Sequence, residues 1–284
     1  MKKGLITIVV PTLNSKNHLR VLLASLEDQS YKEFEVILND DKRATDNTSD
    51  LIKEYKGIIK VKYIQQNNVT AHGRKMGALA GEGEYVLHLD ADMKLSSKVL
   101  EMCVKKMKQG YDALVIPEIS YGEGFWTKVK AFERSMYVGD ESIECVRWCR
   151  MSAYKAIDGH NEKMTFGEDK DFDIRLRKAG YKISRTDEPI HHNEGYLTLS
   201  RDLRKKFYYG LTANALFSTH PEYLLLYSNT IFRPAFFRNW RKLQKHPFLS
   251  MCMFFLKFLE STVGLLGLVY YRVSFKEVNK TKWR

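Results

Sequence analysis

A chain of 284 residues with 44% hydrophobic and 12% aromatic residues has enough apolar material for a substantial core, which excludes a disordered polypeptide. Its net charge of +12 is concentrated, because 15 Lys and Arg against 4 Asp and Glu fall from Arg201 onward and leave 31 against 30 before it, so a basic partner surface belongs to the C-terminal third. Four cysteines (Cys103, Cys145, Cys149, Cys252) exclude a disulfide framework at this length and imply a reducing setting; Cys145 and Cys149 lack a second Cys or His pair at zinc spacing and read as packing residues.

Met1-Lys-Lys before Leu5 to Val10 imitates a signal peptide, but Pro11, Thr12 and Asn14 interrupt the apolar run, and it reads as a first buried strand. Ser15 is placed to cap a helix whose Leu19, Leu22, Leu23 and Leu26 share a face. Phe34 to Leu38 is a second strand, running into Asp40-Asp41 and a polar turn, with a helix over Ser49 to Tyr55 after it. Ile58 to Ile64 gives a third strand, Ala71 to Ala80 a helix, and Tyr85 to Leu89 a further strand. Ser96 then caps a helix with Val99, Leu100, Cys103, Val104 and Met107 inward, Gly110 stops it, and Ala113 to Pro117 is another short strand. The alternation predicts an α/β fold with parallel strands and crossover helices, whose ligands gather at the carboxyl ends of the strands, where Asn14, Asp41 and Asp92 stand. Neither a Gly-x-Gly-x-x-Gly after the first strand nor a Walker lysine loop is present, so a dinucleotide fold and a P-loop are unsupported.

Asp90-Ala-Asp92 closes the strand Tyr85 to Leu89. Alternation along an extended backbone would send Asp90 and Asp92 to one side, where they can share a hard cation whose shell a diphosphate completes. Alone, such a pair is more often a polar turn.

From about Ile6 to about His192 the chain resembles a family-2 glycosyltransferase of the GT-A fold, a Rossmann-like, mostly parallel nucleotide-diphospho-sugar transferase sheet with flanking helices. Ile8-Val-Val-Pro-Thr-Leu-Asn14 is similar to that family's first strand and nucleotide loop, and Asp40-Asp41 with Thr45-Asp-Asn-Thr48 to its Asp-Asp-x-Ser-x-Asp-x-Thr element, one residue longer here. Gly73-Arg74-Lys-Met-Gly77 resembles the Ala-Arg-Asn-x-Gly segment, Asp90-Ala-Asp92 the metal motif, and Gly167-Glu168-Asp169 with the following helix the acidic catalytic segment. Lys16 and Lys75 depart from the family pattern near the expected donor pocket.

The resemblance implies donor contacts from Pro11, Thr12, Asn14, Asp41, Arg74 and Asp90, a Mg²⁺ or Mn²⁺ held by Asp92 and Asp90 with His191 as a third ligand, and Asp169 as general base beside Glu168. For Asp41 the competing reading is a turn-capping aspartate, for Arg74 a surface arginine, for Glu168 and Asp169 first-turn acids that complement a helix dipole. Phe172, Leu176 and Ala179 are expected to face inward and fix that helix. Trp148 and Arg150 lie where an acceptor could bind or serve ordinary packing.

Residues 1–200 are expected to form the catalytic domain and 201–284 a basic, aromatic helical membrane-association region. Phe248 to Tyr271 is apolar but broken by Lys257 and Glu260, which favours an interfacial hairpin or amphipathic helix over a single span; because sugar nucleotides are mainly cytosolic, the expected site is the cytoplasmic face of the cell membrane. The reading is an inverting glycosyltransferase that moves a UDP- or GDP-linked sugar to a hydroxyl of a lipid-linked or other membrane glycan. The alternatives are a polyprenyl-phosphate sugar synthase, whose phosphate acceptor needs no base, and a basic nucleic-acid-binding module, which leaves the carboxylates unexplained. A sugar nucleotidyltransferase lacks its glycine- and arginine-rich loop here.

Overall fold

The computed structural model describes residues 1–67, 70–223 and 233–274. The chain divides into two compact units, the first made of 1–119, 141–162 and 168–193 and the second of 120–140, 163–167 and 194–284.

The first unit is built on a seven-stranded sheet. Its strands are β1 (Lys2–Thr12), β2 (Phe34–Asp41), β3 (Val61–Gln66), β4 (Gly83–His88), β6 (Ala113–Val115), β8 (Val146–Arg150) and β9 (Ile183–Arg185), in the order β3-β2-β1-β4-β8-β6-β9. β3, β2, β1 and β4 run parallel, and β8 alone is antiparallel to both its neighbours. A second sheet orders β5 (Met93–Leu95), β10 (Ile190–Tyr196) and β7 (Glu118–Glu123) as β5-β10-β7. All eight residues of β2 are buried, as a parallel strand covered on both faces requires.

The two-residue period of β1 sorts its side chains. Ile6, Ile8 and Val10 enter one apolar cluster with Leu19, Leu22, Leu23 and Leu26 of α1 (Lys16–Glu27), while Val9 enters another with Tyr154, Phe172 and Leu176. Each buried leucine contributes about 1.5–3 kcal/mol, enough to hold α1 without help at its start. Against the expectation, Ser15 makes no side-chain cap; its hydroxyl donates to the Leu13 carbonyl. Likewise α4 (Val99–Lys108) starts after Lys98 and not at Ser96, yet Val99, Leu100, Cys103, Val104 and Met107 are all buried as expected.

Pro11 lies inside β1, where a central strand ordinarily lacks proline. Pairing with β4 ends at Val9 opposite His88, so the missing N–H at Pro11 leaves no ladder bond unmade on that side. α2 (Thr48–Glu54) and α3 (Thr70–Leu79) complete the crossovers. Gly77 lets α3 approach β1: a Cβ there would stand 2.4 Å from Val9 Cγ1. α6 (Met151–Ala156) and α7 (Glu168–Lys178) follow β8. In α7, Phe172 and Leu176 are buried, whereas Ala179 falls beyond the helix end and is exposed, because the chain turns at Gly180 in the left-handed region.

The second unit is helical, with α5 (Phe125–Ser135), α8 (Leu199–Thr212), α9 (Asn214–Thr219), α10 (Pro234–Arg238), α11 (Trp240–Lys245) and α12 (Pro247–Ser274). Met164, Ala213, Leu216, Phe217 and Leu268 form its apolar cluster. Phe248 to Tyr271 is therefore one continuous helix and not a hairpin. The terminal cations Lys276, Lys280, Lys282 and Arg284 lie outside the described residues.

Candidate active site

β4 ends at His88, and Asp90-Ala-Asp92 forms a turn into β5, with Met93 N donating to the Asp90 carbonyl at 3.2 Å. The expected strand alternation is thus broken, and the two carboxylates take different partners. Asp90 Oδ1 accepts from Arg74 Nη2 at 2.6 Å and its Oδ2 from Arg147 Nη2 at 3.3 Å. Asp92 Oδ1 instead lies 3.3 Å from His192 Nε2.

Arg74 is not a surface residue: it is 1% exposed. Its Nε stands 3.4 Å from Asp169 Oδ1, so one guanidinium ties the end of β4 to the first turn of α7. Burial opposes its charge, but Asp169 and Asp90 hold it firmly protonated. Arg147, the second residue of β8, continues the network from Asp90 to Glu118. Glu118 Oε2 faces His192 Nδ1 at 3.5 Å. The result is a chain of alternating charge, Asp169–Arg74–Asp90–Arg147–Glu118–His192–Asp92, in which every carboxylate touches a cation.

Burial alone would lower the His192 pKa, but Asp92 and Glu118 on its two nitrogens raise it to about 10. His191 is turned to Ser96, with its Nε2 3.4 Å from the Ser96 hydroxyl. Adjacent residues of β10 point to opposite faces, and the one that lies beside Asp92 is His192, not His191. Among the described residues no three His, Cys, Asp and Glu side chains are gathered to hold a metal ion by themselves. Asp92 Oδ1 and His192 Nε2 nevertheless lie side by side, and a cation that displaced the Nε2 proton would find one oxygen and one nitrogen there. A two-donor site of this kind suits a hard cation whose remaining positions are filled by diphosphate and water. Asp90 has both oxygens hydrogen-bonded to arginines.

Burial by itself would raise the Asp169 carboxyl; the Arg74 guanidinium, with His160 and Arg147, holds it far below the ordinary carboxylate range. Glu168 goes the other way, pushed up to about 7 by burial and by the neighbouring Asp169. Both sit at the N-terminus of α7, whose dipole favours the ionised form. Behind Asp169, His160 stacks on Phe172 with centroids 4.5 Å apart and accepts or donates at Tyr154 Oη over 3.1 Å, while its Nε2 lies 3.6 Å from Asp169 Oδ1. Burial pushes the pKa of His160 and of adjacent His88 down.

The residues at the ends of β1 and β2 make their own contacts. Asn14, in the left-handed region at φ 50°, accepts from Thr45 N at 2.7 Å. Asp41 accepts from Arg43 N at 2.9 Å and pairs with its guanidinium, the capped turn that the residue types alone suggested. Thr12 Oγ1 is buried with no hydrogen bond among the described residues, beside half-buried Pro11. Lys75 is turned to Asp158 at 2.9 Å. Trp148 is fully buried in the core, and Arg150, partly exposed, pairs with Glu84.

Sequence reading missed Arg147, Glu118, His160 and the choice of His192. The available signal was a charged residue inside a short buried strand, Val146-Arg-Trp-Cys-Arg150: a guanidinium there needs a carboxylate partner.

The mostly parallel α/β sheet is shared with solved glycosyltransferases of the GT-A fold. The chain belongs to glycosyl transferase family 2, whose model matches residues 7–165. It is 24% identical over 199 residues to the succinoglycan biosynthesis protein ExoA of Rhizobium meliloti, covering 64% of this chain and 60% of that one. It is 30% identical over 109 residues to the GalNAc(5)-diNAcBac-PP-undecaprenol β-1,3-glucosyltransferase of Campylobacter jejuni, covering 37% and 35%. The chain thus spans less than two thirds of these relatives' length. The mannosyltransferase PcManGT from Pyrobaculum calidifontis, solved with GDP-Man and Mn²⁺, shares the fold at TM-score 0.60 and 13% identity over 95% of this chain and 88% of that one.

Proposed function

We propose that this glycosyltransferase moves a sugar, with inversion, from a nucleotide-diphosphate donor to a hydroxyl of a membrane-associated glycan carried on a polyprenyl or dolichyl diphosphate. The observation that supports this most is the buried Arg74 bridge, which joins the carboxylate after β4 to the carboxylate opening α7 in one charged site.

Asp92 and His192 would hold a Mg²⁺ or Mn²⁺, which when bound neutralises charge on the departing diphosphate. Thr12, with Pro11, Asn14 and Asp41, lines the donor side, and the free Thr12 hydroxyl is the group there that a nucleotide can engage. The acceptor oxygen attacks the anomeric carbon as the bond to the diphosphate oxygen breaks, and the nucleoside diphosphate leaves with the electron pair. The acceptor proton passes to Asp169. A carboxylate kept ionised by Arg74 is a weak base, but the attacking hydroxyl becomes strongly acidic as its bond to carbon forms, so a late transfer to a weak base is sufficient. Attack from the side opposite the leaving group gives inversion.

A lipid-linked acceptor is supported by the Campylobacter relative's named substrate and by α12, which is long and apolar enough to engage a membrane. The same low basicity of Asp169 favours a second reading, a polyprenyl phosphate acceptor whose oxygen is already charged. The test is titration calorimetry with UDP, GDP and their sugar conjugates, with and without Mn²⁺, followed by transfer to a polyprenyl-diphosphate glycan or to polyprenyl phosphate. Metal-dependent binding and transfer to the glycan hydroxyl are expected. Transfer to the phosphate alone would establish the second reading, and absence of any nucleotide binding would overturn both.

A further inference from the structure

The two charges in the middle of α12 do not face outward. Lys257 and Glu260 are 7% and 4% exposed. Lys257 Nζ reaches Glu133 Oε1 at 2.9 Å and Glu260 Oε2 at 3.2 Å, Lys130 Nζ reaches Glu133 at 2.8 Å and Glu260 at 2.6 Å, and Lys206 Nζ lies 3.5 Å from Glu260. α5 and α8 thus grip one side of α12 through a closed cluster of buried ion pairs. Glycines extend the contact: a Cβ on Gly210 would stand 2.0 Å from the Gly264 carbonyl oxygen, and one on Gly267 2.3 Å from that of Phe207.

The other side of α12 is apolar and open. Phe248, Met251, Phe255, Phe258, Leu265 and Val273 are each more than half exposed, and their steps of three, four, three, seven and eight keep them on one helical face. Immediately before it, Arg238, Arg241, Lys242 and Lys245 are exposed beside exposed Trp240 and Phe237, and no acidic residue occurs between Arg233 and Leu259.

We infer that α12 lies in the plane of an anionic phospholipid surface, with its open face among the acyl chains and the basic α10–α11 segment on the headgroups, and does not cross the bilayer. At about 42 Å the helix is long enough to span. Crossing would carry Lys257 and Glu260 into hydrocarbon, either stripped of Lys130, Glu133 and Lys206 or dragging them along. Lying flat keeps every pair intact and buries only the apolar face. Arg238 pairs with Asp140 at 2.7 Å, but Arg241, Lys242 and Lys245, next to an aromatic pair and with no acidic partner among the described residues, complement anionic headgroups. This deepens the membrane-linked reading above and rests on it.

The test uses the full chain with vesicles of phosphatidylglycerol and phosphatidylcholine, or phosphatidylcholine alone. Flotation is expected with the anionic vesicles and is expected to fall at least tenfold without the anionic lipid. Arg241→Glu with Lys245→Glu, surface changes that spare the fold, is expected to abolish that preference, and Phe255→Ser with Phe258→Ser to abolish flotation. Spin labels at Met251, Phe258, Leu265 and Val273, with Cys145 and Cys252 replaced by Ser, are expected at one shallow depth of about 5–10 Å. Depth that rises to the bilayer centre and falls again would establish a span and overturn the in-plane geometry alone. Equal flotation on both vesicles would overturn the anionic requirement. Failure to float, with sugar transfer to a detergent-solubilised acceptor retained, would overturn the membrane surface while leaving the transferase reading standing.

Discussion

Arg74 donates to Asp90 at 2.6 Å from a position with 1% exposure, and its other edge faces Asp169 at 3.4 Å. One cation therefore holds together two carboxylates that would otherwise repel. Arg74→Gln is expected to destabilise the protein by about 2 kcal/mol, less than for fully buried pairs because both carboxylates are about 30% exposed. Chemical denaturation measures this, and donor titration on the folded fraction is expected to show binding weakened at least tenfold.

Asp92→Asn and Asp169→Asn separate the two ends of the charge network. The first is expected to weaken Mn²⁺-dependent donor binding while leaving metal-independent binding unchanged. The second is expected to leave donor binding intact and to lower turnover by about 10²–10⁴-fold, the usual worth of a general base. Equal turnover in wild type and Asp169→Asn would remove Asp169 from the chemistry.

His192 and His191 make a neighbouring-residue control. His192→Ala is expected to reduce Mn²⁺ affinity, read by electron paramagnetic resonance of the free ion, whereas His191→Ala is expected to leave it unchanged. Glu118→Gln, which weakens the partner on His192 Nδ1, is expected to cost about 10-fold in the same measurement.

Glu168 predicts a pH dependence of stability. Its carboxyl is raised from 4.5 to about 7 in the folded protein by burial and by Asp169. A raised carboxyl stabilises the fold below its unfolded pKa, and that contribution is lost as pH rises through 7. Glu168→Gln, neutral throughout, is expected to match wild type in Tm near pH 4.5 and to exceed it at pH 8. A Tm difference that does not change between those values would remove the titration from Glu168.

Gly210→Ala tests the crossing of α8 and α12. The added methyl would meet backbone and not a flexible side chain, so a loss of about 1–3 kcal/mol is expected on unfolding. Gly110→Ala, whose Cβ meets nothing, carries only the strain of φ 90° and is a backbone control.

The sequence by itself determined the order of strands β1 to β4 and their crossover helices, the buried faces of α1 and α4, the family, and the carboxylates on which the chemistry is proposed to rest. These are local properties: period-two and period-3.6 patterns and short motifs are carried by neighbouring residues, and the backbone enforces them wherever the segment lies. Partnership was not legible in the same way. Whether Arg74 is a surface cation or a buried bridge depends on Asp90 and Asp169, 16 and 95 positions away, and the choice of His192 over His191 depends on the register of β10 against β5. The turn after His88 separated the Asp90 and Asp92 partners that strand alternation had put together. Lys257 and Glu260 read as interruptions of an apolar run until α5 and α8 supplied Lys130, Glu133 and Lys206. A charge has no preferred neighbour in sequence; burial makes an unpaired one costly, so only the packed tertiary structure decides which opposite charge it meets.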